Sequence, residues 1–124
     1  MTPIEAFENC FIKIFDYKSR ANRSEFWWLY LVASFLGLIV QINSGIQTLV
    51  NPANANILLI GQLVTTLPLS LALISAGCRR LHDTGKSGWL LLLVITVIGA
   101  IPVFVWLATI GDTKENIYGK PLQK

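Results

Sequence analysis

The chain has 124 residues, of which 53% are hydrophobic and only 14% charged, with 10 Lys and Arg against 7 Asp and Glu. An average soluble domain carries roughly 25% charged residues, and a globule this small has a large surface to keep in water. With a mean hydropathy of +0.57, the composition excludes most soluble enzyme folds and indicates one membrane domain.

The N-terminal segment, residues 3–16, comes first. Ile4, Phe7, Phe11 and Ile14 recur at spacings of three and four, with Cys10 and Phe15 beside them and Glu5, Glu8 and Lys13 opposite. That pattern predicts an amphipathic helix, too short and polar to span, that lies at the membrane interface or packs on the ends of a bundle. A polar, mixed-charge stretch ahead of the first apolar run is not the layout of a cleavable signal peptide. Asn22 is a candidate cap for the next helix, with Glu25 reaching back to it in a capping box.

Charges are absent from residues 26–77 and again from residues 89–111. A charge in the bilayer core costs a few kcal/mol or more, so such gaps are what spanning helices require. As helices, residues 26–42, 57–77 and 89–110 would reach about 26, 32 and 33 Å against a hydrocarbon core of about 30 Å. Residues 43–56 (NSGIQTLVNPANAN) have the composition of a turn. The predicted fold is therefore an all-α integral membrane protein: an N-terminal amphipathic interfacial helix, three transmembrane helices, and a polar tail over 111–124. Trp27, Trp28 and Trp89 open the first and third spans and Trp106 lies near the far end of the third, as interfacial anchors do. Ala33/Gly37, Gly61/Thr65, Ala72/Ala76 and Thr96/Ala100 are small residues four apart, suited to close helix packing.

Three full crossings would put seven Lys and Arg on the N-terminal side and Lys114, Lys120 and Lys124 on the other. The positive-inside rule then predicts a cytoplasmic N-terminus and an external C-terminus. The alternative is a third span broken by Gly99 and Pro102 into a re-entrant hairpin, which returns the tail to the cytoplasm. Proline inside a membrane helix is more often a tolerated kink.

The sequence DTGKSG at 83–88 contains the GKS of a phosphate-binding loop, but Arg80 occupies the position of the first glycine and a helix, not a strand, precedes it. Thr84-Gly85 reads instead as a turn, with Ser87 a cap for the third span. Cys78 and His82 share a helix face, yet a third metal ligand would have to be Cys10 or Asp83, so no metal site is expected. Both thiols lie on the expected cytoplasmic side, where they stay reduced. His82-Asp83 has the elements of a proton-handling pair, without a nucleophile placed beside it; its expected role is to order the loop. Gln62, Thr65, Thr66 and Ser70 surround Pro68 on the second span, where interhelical hydrogen bonding is the commoner use of such groups.

The basic loops form the most informative surface. Arg20, Arg23, Arg79, Arg80 and Lys86, with Lys18, gather on one side, and each can gain about 1 kcal/mol beside an anionic leaflet. They either set topology only or bind headgroups or a protein partner, with Trp27, Trp28 and Trp89 setting depth. The leading expectation is a non-enzymatic membrane protein with a basic cytoplasmic face for anionic headgroups or a partner, without cofactor or nucleic acid. Rival readings are a homo-oligomeric channel or transporter subunit built on the second span, and an enzyme acting on a lipid headgroup through His82 and Asp83.

Three blocks carry a family resemblance. RANRSEFWW at 20–28 resembles a GRASRSEFWW-type opening of a first helix, RRLHDTGKSGW at 79–89 an RRLHDTGKSGWW loop, and NIYGKP at 116–121 a closing N-x-Y/F-G-x-P tail. The chain resembles DUF805, the YhaH-like small bacterial inner-membrane proteins, over nearly its whole length. It departs at Ser19, where a Gly is usual, at Asn22 for Ser, and at Leu90 for the second Trp. The resemblance implies the bacterial cytoplasmic membrane and brings no activity with it.

Overall fold

The computed structural model describes residues 3–122, with the side chains of Pro3, Ala6, Phe7, Cys10 and Phe11 outside that description. The apolar stripe expected from Phe7 and Phe11 therefore falls outside the described residues, as does the expected position of the Cys10 thiol. Helix α1 runs over Pro3–Ile12, shorter than the expected 3–16. It stops because Asp16 organises a turn, accepting hydrogen bonds from the amides of Lys18 and Ser19 at 3.0 and 3.1 Å and from Ser19 Oγ at 2.6 Å. Burial alone would raise the Asp16 carboxyl; those hydrogen bonds, with the Arg79 charge, outweigh it and hold the group below the usual carboxylate value.

Helices α2 (Arg23–Val50) and α3 (Ala55–Asp83) form an antiparallel pair joined by a 3₁₀ turn over Pro52–Asn54. Both are long and apolar enough to cross a membrane. They extend well past the expected 26–42 and 57–77, so most of the segment read as a loop is helical. Its polar side chains are served within the helix: Thr48 Oγ1 donates to Ser44 O at 2.8 Å and Gln47 Nε2 to Asn43 Oδ1 at 3.4 Å. The first residue that cannot continue the ladder is Pro52, and the turn falls there. Pro68 stays inside α3.

The third apolar stretch is not the single span expected over 89–110. It splits into a 3₁₀ leg, Gly88–Ile95, and a helix α4, Val97–Ala108. At 2.0 and 1.5 Å per residue these legs measure about 16 and 18 Å, each roughly half of a bilayer core. Thr96 sits between them in an extended conformation, ψ 135°. Its Oγ1 accepts the Gly99 amide at 3.1 Å and donates to Leu93 O at 2.9 Å, closing the bend. The β-branched run Val94-Ile95-Thr96-Val97 favours a break there. The first leg leaves the C-terminal end of α3, with Leu91 packed on Gly77, 3.0 Å from where a Cβ would sit. The second leg comes back to that end, where Arg80 Nε donates to Leu107 O at 3.1 Å. The C-terminal tail thus lies at the same end of the helix pair as the N-terminal segment, where Arg20 bonds its carbonyls, and not at the far end to which one continuous third helix would carry it.

All described charges from Lys13 onward collect at this end, and so does the core. Phe26, Leu29, Ala72, Ala76, Leu81, Val103 and Leu107 pack there, while Leu38, Ile42, Ile46, Ile57, Ile60 and Val64 further along α2 and α3 are exposed. Ala33, Ala72 and Ala76 are buried as the small-residue spacing implied, but a Cβ at Gly37 or Gly61 would meet open space.

A Cβ on Gly99 would come 2.5 Å from both Leu93 O and Thr96 Oγ1. Gly99→Ala is expected to destabilise the protein by about 1–3 kcal/mol through overpacking of the bend. Gly37→Ala and Gly61→Ala should be neutral or slightly stabilising, a contrast that thermal unfolding in detergent would measure.

Candidate functional site: a buried arginine cluster

The end of α3 carries two arginines and an aspartate, and the fold brings a third arginine to them. Arg79 and Arg80 are fully buried and Arg20 is 6% exposed. Taking a guanidinium out of water costs several kcal/mol unless charge and hydrogen bonds replace the solvent, and here both are supplied. Asp83 lies between two of them: Arg20 Nε donates to its Oδ1 at 2.8 Å, and Arg80 Nη1 donates to its Oδ2. Glu25, one turn into α2, accepts from Arg79 Nη1 at 2.7 Å.

Two carboxylates cannot neutralise three arginines, and backbone carbonyls make up the rest. Arg80 also donates to Leu107 O and Thr109 O, capping the end of α4. Arg20 fans out to Asp112 O at 2.6 Å, Gly119 O at 3.1 Å, Lys114 O and Asp83 O, both at 3.3 Å. Several of these oxygens terminate helices, where unpaired carbonyls and the negative dipole end favour a cation. Main-chain bonds complete the joint: Ala21 N to Arg79 O at 3.2 Å and Asp112 N to Asp83 O at 2.7 Å. Gly111 is obligatory beside it, because any Cβ there would collide with the Asp83 carboxylate.

The loop after α3 is built as its sequence suggested. Gly85 takes φ 70°, Lys86 N bonds Leu81 O at 2.9 Å and Gly85 N bonds His82 O at 3.1 Å, a Schellman ending. Ser87 Oγ accepts the Trp89 amide at 3.4 Å. His82 stacks on Tyr118 of the tail, ring centroids 3.8 Å apart and planes within 6°, and Asn116 Nδ2 donates to His82 O at 3.0 Å. Beside this stack lies a cavity of about 530 Å³ whose wall includes Tyr17, Cys78, His82, Trp89 and Tyr118.

Three residues expected on a headgroup-binding surface, Arg20, Arg79 and Arg80, are therefore corrected to the interior, where protein oxygens occupy their donors. Arg23 is exposed, and Lys86 is half-buried with its Nζ 5.0 Å from the Trp106 ring. Trp28 and Trp89 are exposed, whereas Trp27 is half-buried against Phe26 and Tyr30. The capping box is corrected too: Asn22 makes no side-chain cap, and Glu25 serves Arg79. Among the described residues no three His, Cys, Asp or Glu are grouped to hold a metal. Sequence reasoning missed Gly111, Asp112, Asn116 and Tyr118, although the NIYGKP block and its Gly119 marked the tail as structured. Ser75 was also missed; its hydroxyl, buried in α3, points at Lys13 O and Asp16 O, 3.0 Å from each, and anchors the N-terminal turn.

Asp83→Asn should leave Arg20 and Arg80 under-neutralised in the interior, at a cost of about 3–5 kcal/mol. The tail would be released with it, so limited proteolysis should cleave the variant near residues 112–119 under conditions that spare the parent chain.

Comparison with known proteins supplies the context. The family described as "Protein of unknown function (DUF805)" matches residues 14–120. "Inner membrane protein YhaI" of Escherichia coli K12 is 34% identical over 104 residues, covering 83% of this chain and 82% of that protein. The O157:H7 counterpart gives the same figures. No solved structure matches. The three sequence blocks that build the arginine cluster fall within the matched region but for Pro121 at its edge, and the chain belongs to the DUF805 family of membrane proteins.

Proposed function

We propose that the chain is a non-enzymatic protein of the bacterial inner membrane, with two crossings, a re-entrant hairpin and both termini in the cytoplasm. In this reading a basic cytoplasmic rim engages anionic headgroups of the inner leaflet. The observation that carries it is the one-sided charge. Every described Lys and Arg lies at the end where the two termini meet, and the opposite end, around Pro52–Asn54, has no ionisable side chain. The positive-inside rule, which leaves three lysines on the outer side for three crossings, becomes one-sided when the hairpin returns the tail.

The rim differs from the one that sequence suggested. With Arg20, Arg79 and Arg80 consumed inside, the exposed cations among the described residues are Lys13, Lys18, Arg23, Lys114 and Lys120, with Lys86 half-buried. Trp28 and Trp89 flank them at the depth of the headgroups. Two features favour a binding role over catalysis or conduction. Asp83 is committed to two arginines, so it does not orient His82 as a base. The hydroxyls of Thr65, Thr66 and Ser70 close on carbonyls of their own helix, which leaves no row of free donors for a polar path.

Topology is the first test. A cysteine placed at Asn51 should react with an impermeant maleimide in intact cells, and one at Lys120 only after the membrane is opened. Labelling of the Lys120 position in intact cells would overturn the reading. The second test replaces Lys18, Arg23 and Lys114 by Gln together. Each charge is worth about 1 kcal/mol at an anionic surface, or roughly fivefold. The triple variant should lose the enrichment of phosphatidylglycerol over phosphatidylcholine in the lipid that stays with the purified protein; an unaltered ratio refutes the basic-face reading.

A further inference from the structure

The cavity beside the His82–Tyr118 stack does not end at the arginine cluster. A second cavity of about 190 Å³ adjoins it, and Ile74 and Leu91 line both. Together they follow the seam between α3 and the 3₁₀ leg. His82 and Ile74 are eight residues apart on α3, so the groove rises about 12 Å along that helix, and the second cavity continues inward past Val94, Tyr30 and Phe104.

Its chemistry changes along this path. Tyr17, Ser87 and Tyr118 bring hydroxyls to the charged end, and His82 brings an imidazole that is 8% exposed. Beyond Leu91 the walls are apolar and aromatic. The outer flank is open: Trp89 and Leu92 of the 3₁₀ leg and Ile74 of α3 are 79%, 56% and 49% exposed, and no charged residue lies along α3 between its start and Gly77. A groove that is polar at the headgroup depth, apolar below it and open sideways to lipid is complementary to an amphiphile entering from the bilayer.

We propose that this groove holds one acyl chain of a glycerophospholipid from the adjacent leaflet, with its ester and phosphate oxygens at the Tyr17, His82 and Tyr118 end. The site rests on the membrane orientation proposed above but not on the basic rim. Its occupant is held in preference to the annular lipids and exchanges with lipid added from outside. Tyr118 forms part of the mouth, so the tail held by Arg20 also closes the polar end of the site.

The test is native mass spectrometry of the full-length protein released from nanodiscs made of equal parts phosphatidylglycerol and phosphatidylethanolamine. One phospholipid should remain bound after the annular lipids are stripped. Ile74→Trp, on an exposed helix face, fills the groove and should reduce that occupancy about tenfold or more without altering helical circular dichroism. Equal occupancy in Ile74→Trp and the parent chain overturns the proposal. A second measurement needs no filled groove. One equivalent of phosphatidylglycerol with brominated chains, added in detergent, should quench the part of the fluorescence that Trp89→Phe removes, and the effect should saturate. Quenching that only rises in proportion to lipid content overturns it equally. Phosphatidylethanolamine retained as well as phosphatidylglycerol would uphold the groove, and the basic rim stands or falls on the lipid ratio of its own triple variant, so the two failures are distinguishable.

Discussion

Asp83 takes one guanidinium on each carboxylate oxygen, and the meeting of the chain's distant parts depends on it. Arg20 comes from the segment before α2, Arg80 from α3 itself, and through their remaining donors they reach the end of α4 and the tail. In water such pairs contribute little. Buried, they are exacting, because each unmet donor leaves a charge without solvent. The cluster ties four chain segments together, because the donors of its three guanidinium groups are met by oxygens from each of them.

That tie matters because the rest of the molecule offers little else to define a fold. In a bilayer, apolar burial does not drive helices together, and packing and polar contacts take over. The far halves of α2 and α3 have exposed apolar side chains and open glycines, and the well-packed core is confined to the turns nearest the cluster. The hairpin depends on it too. A leg of about half the bilayer thickness has no interfacial anchor at its tip, so its direction is set by where its two feet are held. Gly77 and Leu91 hold the first, and Arg80, on Leu107 and Thr109, the second.

The positions of α2 and α3 were legible in the sequence because a missing charge is an unambiguous signal: residues 26–77 contain none, and both helices run through them. Their lengths were not, since Asn, Gln, Ser and Thr at 43–48 look like turn residues until their side chains are seen to bond within a helix. The hairpin was visible only as an alternative. Gly99 and Pro102 marked a weak point, while the residue that makes the bend, Thr96, looks like any β-branched member of an apolar run. The arginines misled for a different reason. A basic residue beside a membrane reads as surface, and nothing local separates Arg23, which is exposed, from Arg20, which is not. What separates them is Asp83 and the tail carbonyls, sixty to a hundred positions away. The three blocks at 20–28, 79–89 and 116–121 stand far apart in the chain, and only the fold shows that they share one site.

The turn at Pro52–Asn54 and the helix ends that flank it have no ionisable group. An electric potential across a bilayer performs work on charge, about 2.3 kcal/mol per unit charge for each 100 mV, and on an uncharged turn it performs essentially none. Under the two-crossing topology proposed above, the connecting turn of the α2–α3 pair would therefore cross the membrane with the voltage doing essentially no work on it, and the described charges would stay on the side from which it set out.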